Sequence, residues 1–139
     1  MLVKKYFIDM EHYSVDDNQI YGDMGFTFCD MPESRCNTLE EAKESVKFGI
    51  DENLAYYLDN ENDEDNDIFI IYEYTFDTDK FDILDGEVYD DYEINSDAIV
   101  DIKKVYAMCS PINKETFEKL NVAWKEIADF KVEMYSLVR

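Results

Sequence analysis

Between residues 51 and 101 the chain carries 19 carboxylates and a single base, Lys80, so this stretch alone has a net charge of −18. Charge of that density opposes compaction through self-repulsion. The same stretch nevertheless holds Ile-Phe-Ile-Ile-Tyr-Glu-Tyr-Thr-Phe, residues 68–76, which has no stable place outside a core. A fold that satisfies both demands must bury this run and turn the acids outward on strand faces, turns and loops. The flanks differ from the centre: residues 1–50 hold 10 acids and 5 bases, and residues 102–139 hold 5 acids and 7 bases, which brings the whole chain to −21. With 46% hydrophobic and 15% aromatic residues the chain is too apolar for a disordered acidic tail. Its 139 residues fit one domain spanning 1–139.

The opening Met-Leu-Val-Lys-Lys-Tyr-Phe-Ile is cut short by Asp9 and Glu11, which argues against a signal peptide. No stretch approaches the roughly 20 apolar residues of a membrane helix, and so negative a surface repels anionic lipid. Cys29, Cys36 and Cys109 are an odd set without a CxxC pair, which fits reduced thiols in a cytoplasm.

Periodicity points to the α+β class: about four to five strands in the order ββα–βββ–α, forming an antiparallel sheet with two helices packed on one face. Val3 to Met10 and Tyr21 to Cys29 read as the first two strands, with Ser14–Asn18 turning between them. Thr38-Leu-Glu-Glu41 is a capping box in which Glu41 reaches back to Thr38. Leu39, Ala42, Val46, Ile50, Leu54 and Tyr57 follow at helical spacing, predicting one helix that ends near Leu58. Residues 59–67 lack any apolar side chain and predict an exposed loop. Ile68 to Phe76 reads as a central strand, apolar on both faces at its start. Asp77–Lys80 reads as a turn, and Asp85-Gly86 joins two short strands, Phe81–Leu84 and Glu87–Tyr92, as a hairpin. Asp97 to Met108 is ambiguous, with Ala98, Ile99, Ile102, Val105 and Tyr106 at helical spacing, and reads as a strand or a short helix leading into one. A last helix starts at Ser110-Pro111 or Asn113 and buries Phe117, Leu120, Trp124, Ile127, Met134 and Val138.

No catalytic motif survives inspection, so the chain is expected not to be an enzyme. Four glycines lie scattered at 22, 25, 49 and 86, and none builds a phosphate-binding loop. His12 is the only histidine and reads as structural. Carboxylates are so abundant that pairing any two as acid and base has no diagnostic value. An EF-hand fails in either register: with Asp59 first, Glu64 takes the glycine position and Ile70 the bidentate glutamate position. Zinc lacks ligands, so neither metal nor cofactor is expected. Direct binding of nucleic acid is disfavoured, because phosphates are met by Lys and Arg.

The same physics run in reverse suggests a use for the acids. Residues two apart on a strand face lie about 6.6–6.8 Å apart, close to the roughly 7 Å between successive phosphates of one nucleic-acid strand, whose axial rise is about half that. Asp77 with Asp79, Asp85 with Glu87, and Asp91 with Glu93 have this offset. Asp59, Glu61, Asp63, Asp65 and Asp67 repeat it, with Glu64 among them, while Asp82 and Asp90 add charge to the hairpin. Tyr72, Tyr74, Tyr89 and Tyr92 are interleaved, and tyrosine favours interface cores, where it stacks on arginine. An acidic loop is usually only a solvated loop and a strand tyrosine usually core. A net −18 over 51 residues of a folding chain tips the balance toward a partner-binding surface.

In size, acidity, tyrosine content and mixed α/β pattern, the chain resembles the small DNA-mimic inhibitors of phages and mobile elements, the anti-CRISPR and anti-restriction proteins. The stretch 59–67 and the Asp/Tyr-rich segment 72–93 carry the resemblance, which is one of character, without a shared motif. It implies a stoichiometric inhibitor, a monomer or homodimer in the host cytoplasm, that blocks DNA or RNA binding by a basic nucleic-acid-handling protein such as a CRISPR-Cas nuclease. The alternative is an acidic immunity protein that neutralises a basic, nuclease-type toxin.

Overall fold

The computed structural model describes residues 1–21, 35–59, 65–77, 79 and 99–135. Its elements are β1 (Leu2–Ser14), β2 (Gln19–Tyr21), β3 (Arg35–Cys36), α1 (Leu39–Glu52), α2 (Leu54–Asp59), β4 (Asp65–Asp77), β5 (Ile99–Cys109), α3 (Lys114–Trp124) and β6 (Glu133–Met134). They form an α+β fold around one sheet ordered β2-β1-β4-β5-β6, with β3 also pairing to β1.

The apolar run at 68–76 is the centre of the sheet, flanked by β1 and β5. Pairing with β1 is continuous and antiparallel from Leu2↔Asp77 to Ser14↔Asp65. That pairing extends β1 beyond the expected Met10 and draws Asp65–Asp67 out of the expected loop into β4. The turn after β1 is where the sequence put it. Asn18 takes φ 50 there, a conformation Asn tolerates better than most residues, and its amide receives the Tyr13 hydroxyl at 2.6 Å. Of the expected second strand only Tyr21 is described, as the end of β2; residues 22–34 lie outside the described residues. So does the expected hairpin at 81–92. The ambiguous stretch near 97–108 is strand β5.

Three expectations are corrected. The helices lie on opposite faces of the sheet. Phe69 and Ile71 pack with α1 residues Ala42, Val46 and Ile50, whereas Ile68 and Ile70 pack with Leu120 and Trp124 of α3. Consecutive apolar residues point to opposite sides of a strand, so a run of four needs cover on both. Second, the sheet is mixed, because β6 pairs parallel to β5 through Met108↔Glu133 and Cys109↔Met134. Third, both long helices differ from the expected spans. Asn53 interrupts the first, and its side-chain amide donates to the Gly49 carbonyl at 2.9 Å, so the apolar stripe continues in the separate turn of α2. The last helix stops at Trp124, where the chain turns back and Val132 N–H donates to Asn121 Oδ1 at 2.9 Å. Ile127 and Met134 are therefore exposed, Val132 and Tyr135 are buried in their place, and Val138 is outside the described residues.

Both caps follow sequence logic. Thr38 Oγ1 accepts from Glu41 N–H at 3.1 Å, and Asn113 Oδ1 from Thr116 N–H at 2.8 Å. Glu41 reaches back one residue further than expected, to the N–H of Asn37 at 3.1 Å.

Candidate functional site

Of the acids singled out in the sequence, Asp59, Asp65, Asp67, Asp77 and Asp79 are described. Glu61, Asp63, Glu64, Asp82, Asp85, Glu87, Tyr89, Asp90, Asp91, Tyr92 and Glu93 lie outside the described residues. Asp65 is placed as the first residue of β4, and the other four divide by role.

Asp67 serves the fold. One carboxylate oxygen lies 2.8 Å from His12 Nδ1 and the other accepts the Tyr57 hydroxyl at 3.0 Å, so a single carboxylate ties β4 to β1 and α2. Asp77 and Asp79 do not form the linear strand pair their spacing suggested. Asp79 sits in a turn, its N–H donates to Asp77 Oδ1 at 2.9 Å, and both carboxylates converge on the Met1 ammonium, at 3.9 Å and 2.8 Å. An Asx turn bends the chain, so the two charges meet instead of following one another along a line.

Asp59 is different. It is exposed at the last residue of α2, as Glu52 is at the last residue of α1, and neither helix has a base in its final turn. A carboxylate at a helix C-terminus faces the negative end of the helix dipole, which costs stability where lysine would add it. Both charges are exposed and belong to the acidic stretch.

Tyr72 and Tyr74 lie on one side of β4 and are half-buried. On the same face β1 presents Asp9 and Glu11, opposite Ile70 and Ile68. In the sequence these two acids stand only as interruptions of an apolar run. The signal was the alternation Phe7, Asp9, Glu11, Tyr13, which puts all four on one strand face. The Tyr72 hydroxyl donates to Glu11 Oε1 at 3.4 Å, and Lys104 Nζ sits 5.3 Å from the centre of the Tyr72 ring. The Tyr74 ring packs on Phe7 at 4.5 Å and Phe76 at 6.1 Å. Burial, then the charges of Glu11 and Asp9, raise the Tyr72 phenol far above its ordinary range, and burial followed by Asp9 raises that of Tyr74. The Tyr72 phenol thus remains a neutral hydrogen-bond donor to Glu11.

On the other side of β4, Glu73 accepts the Tyr6 hydroxyl at 3.0 Å and faces Lys4 at 3.4 Å and Lys103 at 3.5 Å. Desolvation pushes its carboxyl up, but the Tyr6 hydroxyl and the two ammonium groups outweigh it and the net shift is downward. Among the described residues of the −18 segment, this is the one acid that lysines clamp from two neighbouring strands.

Among the described residues no three His, Cys, Asp or Glu side chains are grouped to hold a metal ion, and no helix is long and apolar enough to cross a membrane. An open depression of about 350 Å³ between Lys104 and the Ile127–Phe130 turn brings together one ammonium and one carboxylate with apolar walls. No protein-family model matches the sequence, and neither a curated protein nor a solved structure matches it.

Proposed function

We propose that this chain is a phage or mobile-element inhibitor that binds a nucleic-acid-handling enzyme through an acidic, DNA-mimicking surface and blocks its access to DNA or RNA. A CRISPR-Cas nuclease is the leading target. The observation that carries this reading is the placement of Glu52 and Asp59, exposed carboxylates at helix C-termini, where the helix dipole disfavours negative charge, within a segment of net charge −18. Charge kept against the interest of the fold fits a partner that needs it.

Complementary fields speed association and make it salt-sensitive. In an RNA-guided nuclease, the arginines that read guanines of the short flanking duplex motif are the natural targets. The protein acts by occupancy and not by catalysis, in the cytoplasm of the bacterial host.

A competition assay tests this. A labelled duplex carrying the flanking motif is bound to each of a panel of guide-loaded nucleases, and the protein is titrated in at low salt. Stoichiometric displacement from at least one nuclease, weakening as salt rises, is the expected result. Displacement from none would overturn the reading.

A further inference from the structure

We propose that β5 is a self-association edge through which two copies of this chain pair antiparallel, about a two-fold axis at Ile102. This stands independently of the inhibitor reading. Among the described residues, β5 is covered on its outer side only at Met108 and Cys109, by β6. Along the remainder no described residue pairs with the outer row of backbone N–H and C=O groups, the usual template for adding a strand. It also presents apolar side chains, with Val100 52% and Ile102 46% exposed.

The occupant follows from charge and register. Two identical strands pairing antiparallel about a two-fold axis normal to the sheet place residues of like parity opposite one another, because each face of the sheet is preserved. An axis at Asp101 sets two carboxylates face to face, and an axis at Lys103 sets two ammonium groups face to face. An axis at Ile102 sets Asp101 opposite Lys103 twice, joins the two Ile102 side chains, and places Val100 opposite Lys104. Opposite charges directly across a ladder stabilise it and like charges do the reverse. The pairing of β4 with β5 is regular from Asp101 to Lys104, between irregularities at Ile71/Tyr72 and Thr75/Phe76, so this window is properly extended. It also borders the one part of the chain without excess acid, since residues 102–139 have 7 bases against 5 acids.

Cysteine placement reads the register. A residue on the axis faces its own copy across about 4.5–5.5 Å between Cα atoms, within the range a disulfide spans. Val100 would lie about 13 Å from the other Val100 along the ladder. Cys36 and Cys109 are buried, and burial pushes the Cys109 thiol up to about 12, so background coupling from them is slow. In a full-length Cys29→Ser background, Ile102→Cys is expected to form a covalent dimer on mild oxidation, and Val100→Cys to remain mostly monomeric. Light scattering of the unmodified chain at increasing concentration should rise from 16.5 kDa toward twice that mass. Asp101→Lys should hold it at the monomer, with an unchanged circular dichroism spectrum. A chain that stays monomeric throughout, coupling at 100 as efficient as at 102, or a dimer that survives Asp101→Lys would each overturn the proposal.

Discussion

The Tyr57 hydroxyl donates to Asp67 Oδ2 at 3.0 Å, while the other oxygen of that carboxylate lies 2.8 Å from His12 Nδ1. This contact anchors the short helix α2 to the central strand, at the edge of the acidic stretch. Tyr57→Phe removes the hydroxyl, keeps the ring against Phe69, and leaves His12 as a partner for Asp67. The expected cost is about 1–2 kcal/mol, the range for a hydrogen bond to a charged acceptor that is not fully buried. Urea denaturation should record a lower midpoint with an unchanged slope.

Glu52 and Asp59 separate the two explanations of the negative surface. Converting both to lysine relieves an unfavourable interaction at each helix end, and stability is expected to rise by about 0.3 kcal/mol or more per site at low ionic strength. The proposed function requires the same double variant to bind its target more weakly. A solvated surface without a partner would yield the gain in stability and no loss in binding.

Alkaline pH should reveal the buried phenols. Burial raises Tyr57, Tyr72 and Tyr106 well above the ordinary tyrosine value of 10, with Asp67, Glu11 and Glu133 respectively adding to the effect. The native state therefore holds the phenolic protons more tightly than the unfolded chain. The associated stability is complete below about pH 10 and declines as pH climbs beyond it. Absorbance at 295 nm should show these tyrosines ionising together with unfolding.

Much of the fold was legible from local chemistry. The Thr38 cap, the Asn113 start and the Ser14–Asn18 turn each rest on short-range hydrogen bonds that their own residues encode. The run 68–76 announced a central strand by its apolar content. That run also implied cover on both faces, which the grouping of both helices on one face ignored. The break at Asn53 rests on a local side-chain bond to the Gly49 carbonyl that apolar spacing does not show, and the early stop at Trp124 on a contact between more distant residues, Asn121 with Val132. The site was harder to read for the same reason. Spacing of two marks a common face only if the residues share a strand, and Asp79 does not share β4. Asp9 and Glu11 came beside Tyr72 and Tyr74 through pairing across strands, which no local pattern within 59–93 contains.

Charge reversal of Asp85, Glu87, Asp90 and Asp91 to lysine is expected to abolish inhibition without unfolding the domain. The four lysines would bring repulsive charge to any basic channel. Retained inhibition with a native spectrum would move the interface elsewhere on the molecule.

The most direct test of the central claim is capture from a bacterial lysate on the immobilised protein at low salt, released first by duplex DNA and then by a salt step, with mass spectrometry of both fractions. The account predicts that a basic nuclease is retained, that duplex DNA displaces it, and that salt strips whatever DNA leaves behind. Retention of no nucleic-acid-binding protein, or of one that neither DNA nor salt releases, would contradict it.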